Sequence, residues 1–152
     1  MSSAPQPNST ELEQQVQGMV DRETRAWDTQ DARLLLSVFH ADMVWAWPPT
    51  AESHDPQSWV WGMGRFDAAR WRASWEELFA AYELVHNRRR TVRISISSEG
   101  DGAFAVVDVD MLWRHRHGGT DQHWQGRACK VYTLLAPGEW KLIAHTGLLN
   151  YA

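Results

Sequence analysis

One cysteine, Cys129, stands in 152 residues. No disulfide can form within the chain, so neither the fold nor the compartment can be read from a disulfide framework. Basic charge is short as well: 15 lysines and arginines against 19 aspartates and glutamates give a net charge of −4. A phosphate backbone is met by a basic stripe. The one basic cluster here, Arg88-Arg89-Arg90 with Arg93, is brief and alternates between faces if it lies in a strand. Nucleic acid is therefore not an expected partner. No apolar run reaches the roughly 20 residues that a membrane helix needs. The opening MSSAPQPNST has neither the basic nor the apolar region of a secretory signal. The expectation is a cytoplasmic chain with no membrane partner. Glycine-rich nucleotide loops, CxxC pairs and nucleophile elbows are missing too, so neither a cofactor nor a resident metal is expected.

Tryptophan is what the chain has in excess, ten in 152 residues. An indole pairs a large apolar body with one N–H donor, which suits packed cores and also the walls of a ligand cavity. The length fits one domain, with residues 1–8 as a disordered lead and 9–152 as the domain. Ser9 or Thr10 can cap a helix whose stripe runs through Leu12, Val16, Met19, Val20 and Trp27. Glu23 falls on that stripe and interrupts it. Asp28-Thr29-Gln30 breaks the helix, and Asp31 caps a shorter one through Leu34, Leu35, Val38 and Phe39. Met43–Trp47 reads as a first strand ended by Pro48-Pro49. Residues 48–64 form a long loop that holds Trp59 and Trp61, a candidate cover. Phe66–Tyr82 returns to helical spacing with an aromatic stripe of Trp71, Trp75, Phe79 and Tyr82.

From residue 84 onward the period changes to that of strands, with Val, Ile, Thr, Tyr and Trp frequent. Residues 84–97 make one strand and Ala103–Tyr151 three more. They are separated by Gly118-Gly119-Thr120-Asp121 and Ala136-Pro137-Gly138. Helices first and a meander after give an α+β fold, a curved, mostly antiparallel sheet closed by three N-terminal helices.

Charged groups interrupt the last strands: Asp108, Asp110, Lys130 and His145. A turn at Ala136–Glu139 sets Lys130 opposite His145. A three-residue loop at Gly118-Gly119-Thr120 sets Asp108 opposite Lys130, giving a row Asp108–Lys130–His145 on one face, with side chains close enough to interact. A two-residue loop would slip the pairing by one and place Cys129 opposite Asp108. Val107, Val109, Met111, Val131 and Cys129 then share the other, apolar face, available to a second subunit. The three-residue loop also opposes His115 to His123 and His117 to Asp121. Such a set has metal-ligand chemistry but sits at a hairpin tip with no supporting shell in view.

Several strings together resemble the nuclear transport factor 2-like superfamily, which includes ketosteroid isomerase, SnoaL-like polyketide cyclases and the association domain of calmodulin-dependent protein kinase II. They are Trp27-Asp28-Thr29-Gln30-Asp31, Val38-Phe39-His40-Ala41-Asp42, Gly126-Arg127 and Glu139-Trp140-Lys141-Leu142-Ile143-Ala144-His145. The resemblance spans residues 10–150. It implies a cone with a pocket at its open end, a homodimer through the outer face of the sheet, and Asp108 and Lys130 pointing into the cone, with Asp110 near the mouth. One position departs from the pattern. Ketosteroid isomerase carries its general base, an aspartate, just before a proline at the end of the first strand. Here Trp47 precedes Pro48, and an indole cannot abstract a proton.

The function expected from these residues is binding of a small, largely apolar carbonyl or carboxylate compound. Trp45, Trp47 and Trp61 would wall and cover the site, and Asp110 and Lys130 would hold the polar end. Asp108 and His145 would carry a cofactor-free isomerase or lyase step by proton transfer, with Lys130 stabilising an enolate. The other expectation is a non-catalytic ligand-binding or association domain, in which the charges form a satisfied network.

Overall fold

The computed structural model of the chain describes residues 8–50, 53, 55–136 and 138–148. The expectations for the lead before Asn8, for part of the 48–64 loop, for Pro137 and for the chain after Leu148 lie outside those residues. Helix α1 spans Ser9–Asp28. Its cap is Asn8 rather than Ser9 or Thr10. The Asn8 carboxamide oxygen accepts from the Glu11 amide at 2.9 Å, and the Glu11 carboxylate accepts from the Asn8 amide at 3.2 Å. That reciprocal box satisfies two amides the helix cannot pair itself. The expected stripe is buried, and Glu23 is buried with it. Past α1, Gln30 takes a left-handed turn at φ 51°. Its side-chain amide donates to the Tyr82 carbonyl at 3.0 Å, so the turn is held from outside. Helix α2, Ala32–Leu36, starts at the expected Asp31 cap. Helix α3, Ala68–Ala81, buries Trp71, Trp75 and Phe79.

Strands β1 (Tyr82–Ile96), β2 (Gly102–His115), β3 (Gln122–Leu135) and β4 (Glu139–His145) form one antiparallel meander in that order. The segment expected as a first strand does not join it. Residues 43–47 make only isolated bridges, Val44 to Arg65 and Trp47 to Val60. The edge beside β4 is used instead by residues 38–40. The His40 amide donates to the Leu142 carbonyl at 2.9 Å, and the Leu142 amide to the Val38 carbonyl at 2.8 Å.

Alternation along β2 is strict. Ala103, Ala105, Val107, Val109, Met111 and Trp113 are buried against the helices, and the even-numbered residues face outward, as the two-residue period of a strand requires. Trp27 lies at the centre of the core. Its ring meets Trp75, Phe79, Trp113 and Trp124 edge-on, with centroids 5.1–6.2 Å apart. Such contacts add about 0.5–1.5 kcal/mol each beyond burial.

Lys130 lies opposite His145 as expected, although next to the turn β3 and β4 pair one residue out of the expected register, and an irregularity between Val131 and Tyr132 restores it. The register of β2 on β3 is not the expected one. Asp108 pairs with Arg127, and Lys130 with Ala105. This is a slip of three residues, an odd number, and it moves Asp108 and Asp110 to the outer face. The row Asp108–Lys130–His145 does not form. The β2–β3 ladder ends at Trp113 and Gln122, so the connection is longer than three residues. Tertiary contacts draw it out. Arg114 and His115 pair with Glu83 and Tyr82 of β1, and Arg116 donates its amide to the Ala81 carbonyl at 2.9 Å. The apolar face assigned to a second subunit is therefore mostly the interior. Val107, Val109 and Met111 line the core, and only Val131 and Cys129 share the outer face with Asp108.

Candidate functional site

A cavity of about 750 Å³ opens between the inner face of the sheet and the helices, within the range of small-molecule sites. Its walls are indoles: Trp27 from α1, Trp45 and Trp47 from the loop after α2, Trp75 from α3 and Trp124 from β3. Trp45 and Trp47, two of the expected wall residues, line this cavity. Trp61 does not. It is 49% exposed and does not line the cavity, because the bridge of Trp47 to Val60 leaves its side chain on the solvent side.

Trp47 is positioned by a glycine. Gly147, just past β4, has φ +73°, and a Cβ there would lie 2.9 Å from the Ala46 carbonyl oxygen and from the Trp47 Cα. Only glycine allows the end of β4 to pass that closely beneath residues 46–48.

The floor of the cavity is charged. Glu23, 1% exposed, accepts from Lys130 Nζ at 2.8 and 3.2 Å, from Arg89 at 2.7 Å and from Trp27 Nε1 at 3.1 Å. Burial alone would raise the Glu23 carboxyl, but Lys130 and Arg89 together outweigh it and hold it below the usual carboxylate range. Burial is also the largest influence on Lys130 and lowers its ammonium, with Glu23 opposing and Arg89 adding to the fall. Two cations and one carboxylate leave the floor one positive charge in excess. In a site shielded from water, that excess favours an anion or a developing oxyanion.

His145 completes the floor. Its ring centroid lies 3.8 Å from that of Trp45, and its Nε2 is enclosed with no hydrogen-bond partner among the described residues. Burial, then the charge of Lys130, pulls its pKa down to about 3 against the pull of Glu23. The imidazole is neutral at physiological pH, and its unpartnered nitrogen belongs to a residue lining the cavity. Trp75 Nε1, on another wall, is likewise buried and unpartnered. An orphaned polar atom in a protein interior costs about 1–3 kcal/mol, which a ligand would recover only by a side-chain turn that brings the atom to the cavity surface.

The expected site residues thus divide. His145, Lys130, Trp45 and Trp47 share the cavity. Asp108 lies outside, gripped by Arg127 at 2.7 Å and Arg90 at 2.9 Å, which lower its pKa to about 2 through the Arg127 hydrogen bond first, against a smaller rise from burial. Asp110 also faces outward, bonded to His86 and His123. Glu23 and Arg89 of the floor escaped the sequence reading, as did the wall residues Trp27, Trp75 and Trp124. The signal for Glu23 was present, a carboxylate on the apolar stripe of α1. Arg89 was one of three consecutive arginines, and only its strand parity separates it. Its side chain is 8% exposed, against 73% for Arg88 and 74% for Arg90.

No protein-family model matches the chain, and no curated protein matches it. Solved structures do. A ketosteroid isomerase-like protein from Erwinia carotovora atroseptica superposes with a TM-score of 0.67 at 12% identity, covering 90% of this chain and 94% of that one. The fold is the nuclear transport factor 2-like cone. A nuclear transport factor 2-like superfamily protein from Salmonella enterica serovar Typhimurium gives 0.63 at 14% identity, over 95% and 96% of the two chains. An association-domain-like protein of the calmodulin-dependent kinase II type from Exiguobacterium sibiricum gives 0.62 at 13% identity, over 98% and 100%. At these identities the likeness is one of fold, and the nuclear transport factor 2-like cone hosts more than one function.

Proposed function

We propose that the cavity binds a small, largely apolar molecule with a carbonyl or carboxylate oxygen, and that His145 exchanges a proton with it. The observation that carries this reading is the unpartnered Nε2 of a neutral His145 in an indole-walled cavity whose floor holds one excess positive charge. A planar apolar body fits against Trp45, Trp75 and Trp124. Its oxygen is drawn to the Lys130–Arg89 end. With Nε2 as acceptor, His145 takes a proton from the carbon beside the carbonyl. The C–H electron pair passes into the carbonyl, and the resulting enolate oxygen is stabilised by the Lys130 ammonium. Return of the proton to a different carbon is an isomerisation, and loss of a β-hydroxyl as water is a dehydration. A base held at about 3 is weak in the empty cavity. The negative charge of the enolate strengthens it as the proton moves.

Binding and chemistry are separable. Tryptophan fluorescence titration with cinnamate and with phenylacetone tests binding. Proton–deuterium exchange of phenylacetone in heavy water, followed by NMR, tests proton transfer. Wild type is expected to bind both probes and catalyse exchange, and His145→Ala to keep binding but lose exchange. Equal exchange in wild type and His145→Ala ends the catalytic reading, and absence of saturable binding ends the cavity reading.

A second reading concerns assembly. On the outer face Phe104 and Val131 are register partners, 41% and 39% exposed. A homodimer through this face would cover them, and the chain would then serve as an association-type domain whether or not the cavity turns anything over.

A further inference from the structure

The outer face carries a cluster of which only His123 also borders the cavity. His86 of β1, Asp110 of β2 and His123 of β3 converge across three adjacent strands. His86 Nε2 lies 3.0 Å and His123 Nε2 lies 2.6 Å from the same oxygen, Asp110 Oδ1. The register explains the convergence. Leu112 pairs with His86 on one side and His123 on the other, and Asp110 is the next outward residue on the central strand. The histidine rings stand nearly perpendicular, with centroids 6.3 Å apart, so both Nε2 atoms can approach one point from different directions.

We propose that His86, Asp110 and His123 form a binding site for a zinc-class divalent transition ion. Two imidazole nitrogens and one carboxylate oxygen are a ligand set that zinc accepts, leaving a fourth position for water or an incoming group. The spacing fits. Metal–nitrogen bonds of about 2.0–2.1 Å in a tetrahedral site set the donor atoms about 3.3 Å apart. Here the candidate donor atoms all lie within 4.8 Å of one another. The ligands are mounted on paired strands rather than on a loop, and a rigid mount holds a metal geometry better. Two imidazoles select against magnesium, which takes oxygen ligands.

One charge opposes the site. Arg88 Nη1 is 3.9 Å from Asp110 Oδ2, the oxygen that the histidines do not bond. Its side chain is 73% exposed, so it can turn into solvent as the ion enters. Asp108, the next outward residue on β2, is neutralised by Arg90 and Arg127. The hairpin histidines take no part. Contrary to the sequence expectation, His115 does not oppose His123 but pairs with Tyr82, and its Nδ1 accepts the His117 amide at 3.1 Å.

The test uses the full chain, stripped of metal by chelation and dialysis. Zn²⁺ is titrated by calorimetry, Co²⁺ by its visible absorption, and Mg²⁺ as a contrast. The expected result is one equivalent of Zn²⁺ and of Co²⁺, with a visible Co²⁺ band of low-symmetry nitrogen–oxygen ligation and no Mg²⁺ competition. His86→Ala, His123→Ala and Asp110→Asn should each weaken Zn²⁺ by more than about tenfold, the lower end for loss of a merely supporting group. His115→Ala with His117→Ala should leave it unchanged. Circular dichroism confirms that each variant is folded, and the exposed position of His123 makes that variant the safest. No saturable Zn²⁺ binding, retention of affinity in His123→Ala, or equal competition by Mg²⁺ overturns the proposal. The site does not depend on the cavity reading, and His145→Ala is expected to bind Zn²⁺ as wild type does.

Discussion

Lys130 and His145 face each other across β3 and β4, and of these two the lysine is the charged one, bridged to Glu23. The imidazole beside it is kept neutral by burial and by that neighbouring charge.

A pH dependence follows, and its sign is set by the direction of the shift. The folded pKa of His145, about 3, lies below its ordinary value of 6.5. Between those values the unfolded chain binds a proton that the folded chain refuses. The stability linked to His145 is whole above 6.5 and is lost as pH falls, by up to about 1.4 kcal/mol per pH unit. Glu23, whose carboxyl is also lowered, adds a second loss only below its ordinary 4.5. Urea unfolding at about pH 6.5 and pH 5 should therefore show wild type losing about 1.5–2 kcal/mol more than His145→Phe. Equal losses would mean that His145 is protonated in the folded state.

The buried charges on the floor are unequal in what their removal leaves behind. Glu23→Leu leaves Lys130 and Arg89 buried together with no counter-charge, and is expected to destabilise by about 3–5 kcal/mol. Lys130→Met leaves the 2.7 Å pair of Glu23 with Arg89 and should cost less, about 1–3 kcal/mol. Denaturant unfolding of both variants gives the order. A costlier lysine variant would show that Arg89 does not neutralise Glu23.

Asp108→Asn separates the outer face from the cavity. Its ion pairs with Arg90 and Arg127 are at the surface, and such pairs contribute about 0–1 kcal/mol. The substitution should change stability by no more than that and leave cinnamate binding untouched. A loss of binding would require the two faces of the sheet to communicate.

For assembly, Phe104→Glu places a carboxylate on the exposed apolar pair with Val131. Light scattering after gel filtration should find wild type at twice the mass of the variant, with the variant folded by circular dichroism. Equal masses would remove this face from any dimer.

Much of this architecture was legible in local patterns. Asp31 and the spacing after it specify α2, and the aromatic stripe specifies α3. Lys130 opposite His145 was expected from the short turn before Glu139, but the ladder from that turn runs one residue out of step, and an irregularity between Val131 and Tyr132 restores the pair. What local patterns missed was decided at a distance. The connection after β2 looks like a tight hairpin because Gly118-Gly119 can make one. The pairing of Arg114 and His115 with β1, and the anchoring of Arg116 to the end of α3, extend it and reverse the face of Asp108. His86 drew no attention for a similar reason. A lone histidine in a strand acquires partners only when the register brings Asp110 and His123 beside it.

Glu23 also has a place in the order of folding. Its partners Arg89 and Lys130 lie 66 and 107 residues further along the chain. Such distant closures come late, because chain entropy is lost before the contact repays it. Until β1 brings Arg89 and β3 brings Lys130, the carboxylate remains in water, and helix α1 cannot seal against the sheet without leaving it unpaired. The cavity floor is therefore expected to assemble after the main barrier, which folding and unfolding rates of a Glu23 variant would test. Replacing Glu23 would act chiefly on how fast the protein comes apart, and much less on how fast it forms.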